Sequence, residues 1–545
     1  MLMFCLLSCA PGLAQQPTTA ADKNTGVIRG RVVTLDKGRP LRRAQVSLSS
    51  PGLRERKSTG TNLRGEFEFV GLPAGRYTIN VTRSGYLNSQ YGQRRPGGQG
   101  KVLELAAGQT LEKLELPLQR AGVISGRVAD ETGDPVPNVN VWAMRPQFYQ
   151  GRRELARVAS ARTDDTGQYR ILGLTPGTYT VLARLRETWS VPGPPKRMLG
   201  YSPTFFPSTA RANDTLRVTL APGEEAPSTD ITLVFAPAAS ISGTAVRSDG
   251  TPLAGGRVGL NENYRGPLGA SFEGITDAII AADGSWHLRG IAPGEYELSV
   301  STESREGRGE SARMPISLQG ADIDGVLLTT SAGGTMTGEV TTDDGQPLPS
   351  PSGAAKLRIV AEAIGPGALP TQIVVGDDNG IVDADGRFTF RAASGRALVR
   401  VWGLPRGWAV KSLASTDRDD GSREVTIGPG QTHAVKIVVT SKFPTIGGAV
   451  LDDRGTPADA SIIIFPADEA RWLGTIDDIH TSAVDQAGAF RFETVRPGDY
   501  IALALEDFEQ SDAADPAFLR ELVDRGTRIT VREGEPLQLS LKVAK

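Results

Sequence analysis

Cysteine is nearly missing. The 545-residue chain has only Cys5 and Cys9, both close to its N-terminus. If the leading segment is cleaved, the mature chain has no disulfide, no thiolate nucleophile and no cysteine metal site. Histidine is almost as scarce, with His287, His433 and His480 alone. No Gly-x-Ser-x-Gly elbow or Walker-type phosphate loop occurs, so nucleophilic and nucleotide chemistry lack support. Neither charge dominates. Lys+Arg 60 against Asp+Glu 62 gives a net charge of −2, which removes the electrostatic reason to expect a nucleic-acid partner. Beyond the N-terminus no stretch of about 18 apolar residues exists, so no transmembrane segment is expected in the mature chain. The 64 glycines and 36 prolines show no Gly-X-Y period, which excludes collagen and points to many turns joining short strands. At 39% hydrophobic residues the chain can build cores, and its length calls for several of them.

The N-terminal run MLMFCLLSCAPGLA is apolar, uncharged and too short to span a bilayer. Small residues at Gly12 and Ala14 suit a signal peptidase, so residues 1–14 are expected to be a signal peptide cleaved before Gln15. An alternative is a lipobox at Leu6-Leu7-Ser8-Cys9, acylated at Cys9. Both readings place the protein outside the cytoplasm: periplasmic, outer-membrane-associated or extracellular.

What the sequence has in abundance is repetition. An apolar-x-Gly-x-apolar opening strand appears around Gly30, Gly126, Gly243, Gly338 and Gly448. The glycines lie roughly 100 residues apart, the size of a small domain. Later in each copy comes a glycine followed by alternating apolar residues: Gly65-Glu66-Phe67-Glu68-Phe69, Gly167-Gln168-Tyr169, Gly284-Ser285-Trp286, Gly386-Arg387-Phe388 and Gly488-Ala489-Phe490. Alternation of this kind is a strand with one face in a core. Next come Pro176-Gly177-Thr178-Tyr179, Pro293-Gly294-Glu295-Tyr296 and Pro497-Gly498-Asp499-Tyr500, a pairing suited to a type II turn. The first copy displaces its proline to Pro73, and the fourth, Ser394-Gly395-Arg396-Ala397, loses both proline and tyrosine. Its turn and packing should differ.

Each copy is expected to close with a hairpin, such as Val102–Leu105 through Gly108 to Leu114–Leu116. Helix is nearly absent; Asp515 as cap and Pro516 at the first position mark one short helix through Val523. The expected fold is all-β: five tandem sandwiches in an elongated array. Their boundaries fall at 27–120, 121–237, 238–333, 334–442 (the diverged copy) and 443–545, with 15–26 as a linker.

Residues 27–86 resemble a carboxypeptidase regulatory-like domain, 123–183 and 241–300 nearly as well, 445–505 well and 336–402 weakly. The resemblance implies a prealbumin-like sandwich of about seven strands, a shape grouped with carbohydrate-binding-like folds and collagen-adhesin repeats. As a whole the chain is similar to exported multi-repeat proteins of soil bacteria. Zinc carboxypeptidases hold their metal in a separate His-x-x-Glu domain; here the residues three beyond the histidines are Gly290, Lys436 and Ala483. No metal, cofactor or catalytic residue is expected. Isopeptide crosslinks of the adhesin kind are not expected either. No opening strand has lysine at the core of its motif, and no closing strand has asparagine.

Two acidic runs invite calcium, one with Asp377, Asp378, Asn379, Asp383 and Asp385, the other with Asp417, Asp419 and Asp420. Neither matches a twelve-residue calcium loop, and solvated turns are the expectation. The histidines read as scattered surface residues. Aromatic side chains outside the repeated strands are the ligand candidates: Tyr86 and Tyr91 in the first copy, and Trp189, Tyr201, Phe205 and Phe206 in a long insert of the second. Rings in loops stack on sugars or fill a partner's pocket, or else cover the ends of their own sandwich. The sequence thus points to a non-catalytic, exported binding or scaffold protein that contacts carbohydrate at the cell envelope. The alternative is a spacer or protein-interaction element working with an outer-membrane transporter.

Overall fold

Each opening strand is the spine of its own repeat. In a computed structural model each of them is the middle strand of a sheet, antiparallel to the Gly-x-aromatic strand and parallel to the closing strand. In the first repeat Gly26–Thr34 lies between Glu66–Leu72 and Thr110–Leu118. In the third, Ala239–Val246 lies between Ser285–Ile291 and Ile323–Thr329. In the fourth, Gly334–Thr342 lies between Arg387–Ala392 and Thr432–Thr440, and in the fifth Ile446–Leu451 lies between Ala489–Phe492 and Leu537–Lys542. In the second, Gly122–Ala129 pairs Gln168–Leu174 and two short closing pieces, Glu225–Ala226 and Ile231–Thr232. The structure describes residues 25–544 except 51–52, 54, 94, 99, 150–151, 193–196, 267–268, 302–309, 350–355, 365–379, 406, 416–422, 453, 473–477, 486, 507 and 509–511. These fall into two compact bodies. One is the first repeat up to Arg83 with Asn88–Tyr91 and Val102–Leu118; the other is Ser84–Leu87, Gly92–Lys101 and the chain from Gln119.

A second sheet faces the first, centred on the strand that follows the Pro-Gly segment. In the third repeat Gly294–Ser301 pairs Arg257–Gly266 on one side and Ser311–Leu318 on the other. Ile241, Ala245 and Trp286 of one sheet pack with Val258, Leu260 and Leu298 of the other in a single core. Alternation along most strands, apolar inward and polar outward, permits this two-layer packing; in the fifth repeat Ser461–Pro466 and most of Gly498–Leu505 are instead buried on both faces.

The fivefold glycine has a fivefold cause. Gly30, Gly126, Gly243, Gly338 and Gly448 stand directly opposite Phe67, Tyr169, Trp286, Phe388 and Phe490. A Cβ at Gly30 would come 2.8 Å from Phe67 Cζ, at Gly243 2.9 Å from Trp286 Cζ2, and at Gly448 2.8 Å from Phe490 Cζ. The same Cβ would overlap a carbonyl oxygen of the closing strand in four repeats and, in the second, that of Thr229 between the two closing pieces. The ring lies where a side chain would be, an aromatic cross-strand partner covering a bare glycine. The glycine before each aromatic strand has a different reason: Gly65, Gly167, Gly284, Gly386 and Gly488 have φ of 72–84°. Its carbonyl accepts from the opening strand, as Val128 N–H to Gly167 O at 2.8 Å.

Three expectations need correction. The two closing strands are not a hairpin: Leu103–Leu105 pairs Gly75–Thr82 in one sheet while Thr110–Leu118 pairs the opening strand in the other. Both have one apolar face to bury, and crossing the sandwich lets each bury it against a different layer. The Pro-Gly segment is not a type II turn, since Gly177 and Gly498 have φ of 137° and 148°, far from the +80° of that turn. The tyrosine fixes the corner instead: the Oη of Tyr77, Tyr179 and Tyr296 donates to the carbonyl four residues earlier, at 2.6, 2.5 and 2.8 Å. Finally, His433 is no surface histidine. It shares the inward parity of Val435, Ile437 and Val439 on Thr432–Thr440 and is 5% exposed.

The fourth repeat does differ. Ala397 sits at the tyrosine position, and the strand Ala409–Ser415 joins the closing strand of the opening-strand sheet rather than the facing sheet. The C-terminal helix runs Pro516–Val523, and Asp515 accepts from Ala517 N–H at 2.8 Å.

Candidate ligand cleft in the second repeat

Strand length creates a concavity in the second repeat. The hairpin Asn140–Tyr149 and Arg152–Arg162 is twice as long as its first-repeat counterpart, Gln45–Ser49 and Lys57–Gly60. Its first strand pairs the tyrosine strand Gly177–Arg184 only from Asn140 to Met144. Past a bulge at Ala143/Met144 the hairpin goes on alone, while Gly177–Tyr179 turns to pair Val218–Leu220. The wedge between the two is a cleft of about 670 Å³, within the usual range of roughly 300–1,000 Å³ for ligand sites. The half-buried Phe148 supplies aromatic surface, while the Tyr179 ring lies buried beneath Arg145; Gln147, Asn213 and Thr178 supply polar groups. Asp512 and Asp515, beside the C-terminal helix, close the far side.

Arg145 sits where the strands part. Its Nη1 donates to Thr175 Oγ1 at 3.0 Å, and its guanidinium lies 5.4 Å from the centre of the Tyr179 ring. Any side chain on Gly177 would strike it. The fifth repeat rebuilds the device with Arg471 over Tyr500 at 5.5 Å and Gly498 beside it. Three arginines and three carboxylates line the cleft, so their engagement matters more than their sum. Asp515 caps the helix, and Glu154 and Asp512 both have partners. Arg153 and Arg217 are exposed, and their side chains make no ion pair or hydrogen bond among the described residues.

None of the six aromatic candidates is among the lining residues. Tyr201 and Phe206 pack against the core of the second repeat, Phe205 packs on Trp142 and Leu182, and Trp189 lies 4.9 Å from the Tyr201 ring. Tyr86 lies beneath Arg120 at 5.9 Å, and Tyr91 N–H donates to Ile79 O. Phe206 does support the cleft rim, its carbonyl accepting from Thr215 Oγ1 and Leu216 N–H, both at 3.0 Å. Arg145 and Arg153 escaped the sequence reading because they lie on alternating strands marked only by their length, and Arg217 because it lies in the loop before Val218–Leu220.

The acidic runs divide. Asp377, Asp378, Asn379, Asp417, Asp419 and Asp420 lie outside the described residues. Asp383 accepts from the N–H groups of Asp385 and Arg387 at 2.9 and 2.8 Å, a turn-closing role. Among the described residues no three or more His, Cys, Asp or Glu are grouped to hold a metal. His287 is exposed and accepts from Arg289 at 3.2 Å, while His480 lies 6.2 Å from the Phe492 ring.

The opposite end of the same tyrosine strand forms a junction with the third repeat. Glu262, with 3% of its side chain exposed, pairs both Arg184 and Arg186, the latter at 2.6 Å. Arg184 and Arg157 also lie 5.4 and 5.2 Å from the centre of the Trp142 ring. A carboxylate buried this deeply is tolerable only because two guanidinium groups meet it. No helix among the described residues is long and apolar enough to cross a membrane.

No curated protein matches the sequence. Among solved structures, the Bacillus anthracis TIE protein is 16% identical, with 56% of this chain and 51% of that one covered and a TM-score of 0.17. The chain thus spans about half that protein's length. A streptococcal ancillary pilin is 12% identical over 56% of this chain and 99% of its own, with a TM-score of 0.20. The shaft pilin SpaA of Lactobacillus rhamnosus GG is 13% identical over 38% and 96%, with a TM-score of 0.19. The family model of the carboxypeptidase regulatory-like domain matches twice, at residues 27–119 and 123–233. The chain is therefore a multi-repeat β-domain protein whose first two repeats match the carboxypeptidase regulatory-like domain.

Proposed function

We propose that the protein is a non-catalytic, exported scaffold whose second repeat binds carbohydrate at the cell envelope. The observation that carries this reading is the cleft of about 670 Å³ opened by the splayed hairpin, with the half-buried Phe148 ring beside amide and hydroxyl groups. Sugars are held by such mixtures of flat apolar surface and hydrogen-bonding side chains. The test is a glycan array probed with the full chain, read beside a pull-down from envelope extract. Glycan binding that is lost in Phe148→Ala supports the reading; an array without signal sinks it.

A second reading, a spacer or interaction element partnering an envelope protein such as a transporter, is favoured by the Arg184–Glu262–Arg186 junction, which holds two successive repeats together. Capture of one envelope protein at defined stoichiometry, with no glycan bound, would support it.

A further inference from the structure

We infer that the cleft of the second repeat selects saccharides bearing carboxylate groups, with Arg153 and Arg217 as the residues that read the charge. This rests on the carbohydrate reading above and narrows it. The two arginines approach the cleft from separate segments, Arg153 from the hairpin and Arg217 from the loop after Ala212–Asp214. Both guanidinium groups are unengaged among the described residues, whereas the third, Arg145, is held by Thr175 and the Tyr179 ring. None of the lining carboxylates is ion-paired with them: Asp515 accepts from the helix N-terminus, and Glu154 and Asp512 have other partners. Guanidinium is the side-chain group that matches a carboxylate in two-point geometry, and it keeps its charge at every physiological pH.

An acidic peptide offers the same charge, but the site suits it less. A peptide gains most by adding a strand to an open sheet edge; the parting leaves two short edges, Arg145–Phe148 and Gly177–Tyr179, which diverge, so a single added strand can follow only one of them. Phe148 and the polar side chains instead offer what a pyranose ring and its hydroxyls need.

The experiment is calorimetric titration of the full chain with three probes: trigalacturonate, its fully methyl-esterified form, and triglutamate. Trigalacturonate is expected to bind at least tenfold more tightly than either other probe. Its affinity should fall as salt rises from 50 to 500 mM, both concentrations set by the experimenter, because exposed charges are screened. The double variant Arg153→Ala/Arg217→Ala should lose tenfold or more for trigalacturonate with a nearly unchanged melting temperature, since both side chains are exposed and neither has an ion pair or hydrogen bond to lose among the described residues. Equal affinity for the methyl ester overturns the charge inference and leaves the carbohydrate reading standing. Equal or tighter binding of triglutamate overturns the saccharide assignment. Failure of all three probes, on a chain that binds neutral glycans on the array, overturns the inference alone; failure on both overturns both readings.

Discussion

Trp286 lies directly across from Gly243, and the space a Cβ would need at that glycine is taken by the indole ring and by the Val326 carbonyl. Neither residue can change independently. Gly243→Ala forces the ring or the closing strand to move and should cost about 1–3 kcal/mol. Trp286→Ala leaves a hole instead and should cost about 3–5 kcal/mol. Denaturant unfolding of the two variants checks both values.

Lys113 and Ser228 occupy the left-handed region at φ of 61° and 59°. Each precedes the residue, Leu114 or Thr229, whose carbonyl abuts the opening-strand glycine, Gly30 or Gly126. The third repeat has Gly325 at that place, with φ of 72°. Replacing Lys113 or Ser228 by glycine relieves about 1–2 kcal/mol of steric cost and adds about 0.5–1 kcal/mol of backbone entropy. The net gain should be a fraction of a kcal/mol to about 1 kcal/mol, seen as a raised denaturant midpoint with an unchanged slope.

Turn aspartates set the response to acid. The hydroxyl of Thr166 and backbone N–H groups donating to Asp164 hold its carboxyl below its ordinary 3.8, and Thr132 does the same for Asp130. Because the folded state favours the ionised form, this stability is complete above the ordinary value and is lost as pH falls through the lowered one. Asn62 fills the equivalent place in the first repeat and accepts from Arg64 and Glu66 N–H, both at 2.9 Å. Asp164→Asn should therefore fold and melt with a weaker dependence on pH between 2 and 5, values set by the experimenter, than the parent shows. Asp164→Ala should melt lower at all pH values.

Removing the buried carboxylate of Glu262 leaves Arg184 and Arg186 facing each other. Glu262→Gln should cost about 3–5 kcal/mol at the junction. Hydrogen exchange should quicken in Gly177–Arg184 and Arg257–Gly266 while the fifth repeat stays protected.

Tyr201 and Phe205 are packing residues in this structure. Changing both to alanine should lower stability by about 3 kcal/mol or more and leave trigalacturonate affinity unchanged. Unchanged stability with lost binding would return these rings to the role of ligand contacts.

The repeat was legible because its two glycines and its aromatic ring are dictated by backbone geometry, which leaves few alternatives in the sequence. Gly30 opposite Phe67, and Gly65 at positive φ, are required whatever the repeat does. The layer assignment was not legible. A strand such as Leu103–Leu105 shows which residues face inward but not which sheet it joins, and nothing local separates a hairpin from a crossing. The cleft was hidden for a related reason. Arg145, Arg153 and Arg217 look like outward residues of amphipathic strands, and only the parting of the hairpin from its neighbour turns them toward one space. His433 reads as one of three scattered surface histidines, although its parity with Val435 already places it inside.

Because first and last strands run side by side in the same direction, each repeat has its entrance and exit at opposite ends of one ladder. Tension applied through the backbone then shears those hydrogen bonds together instead of peeling them singly. The fourth repeat, with continuous pairing from Thr335 to Thr342, has the longest such clamp. The second, whose ladder between Glu225–Ala226 and Ile231–Thr232 is interrupted except for the Thr229 N–H to Ser125 O bond, should be the first to extend under load.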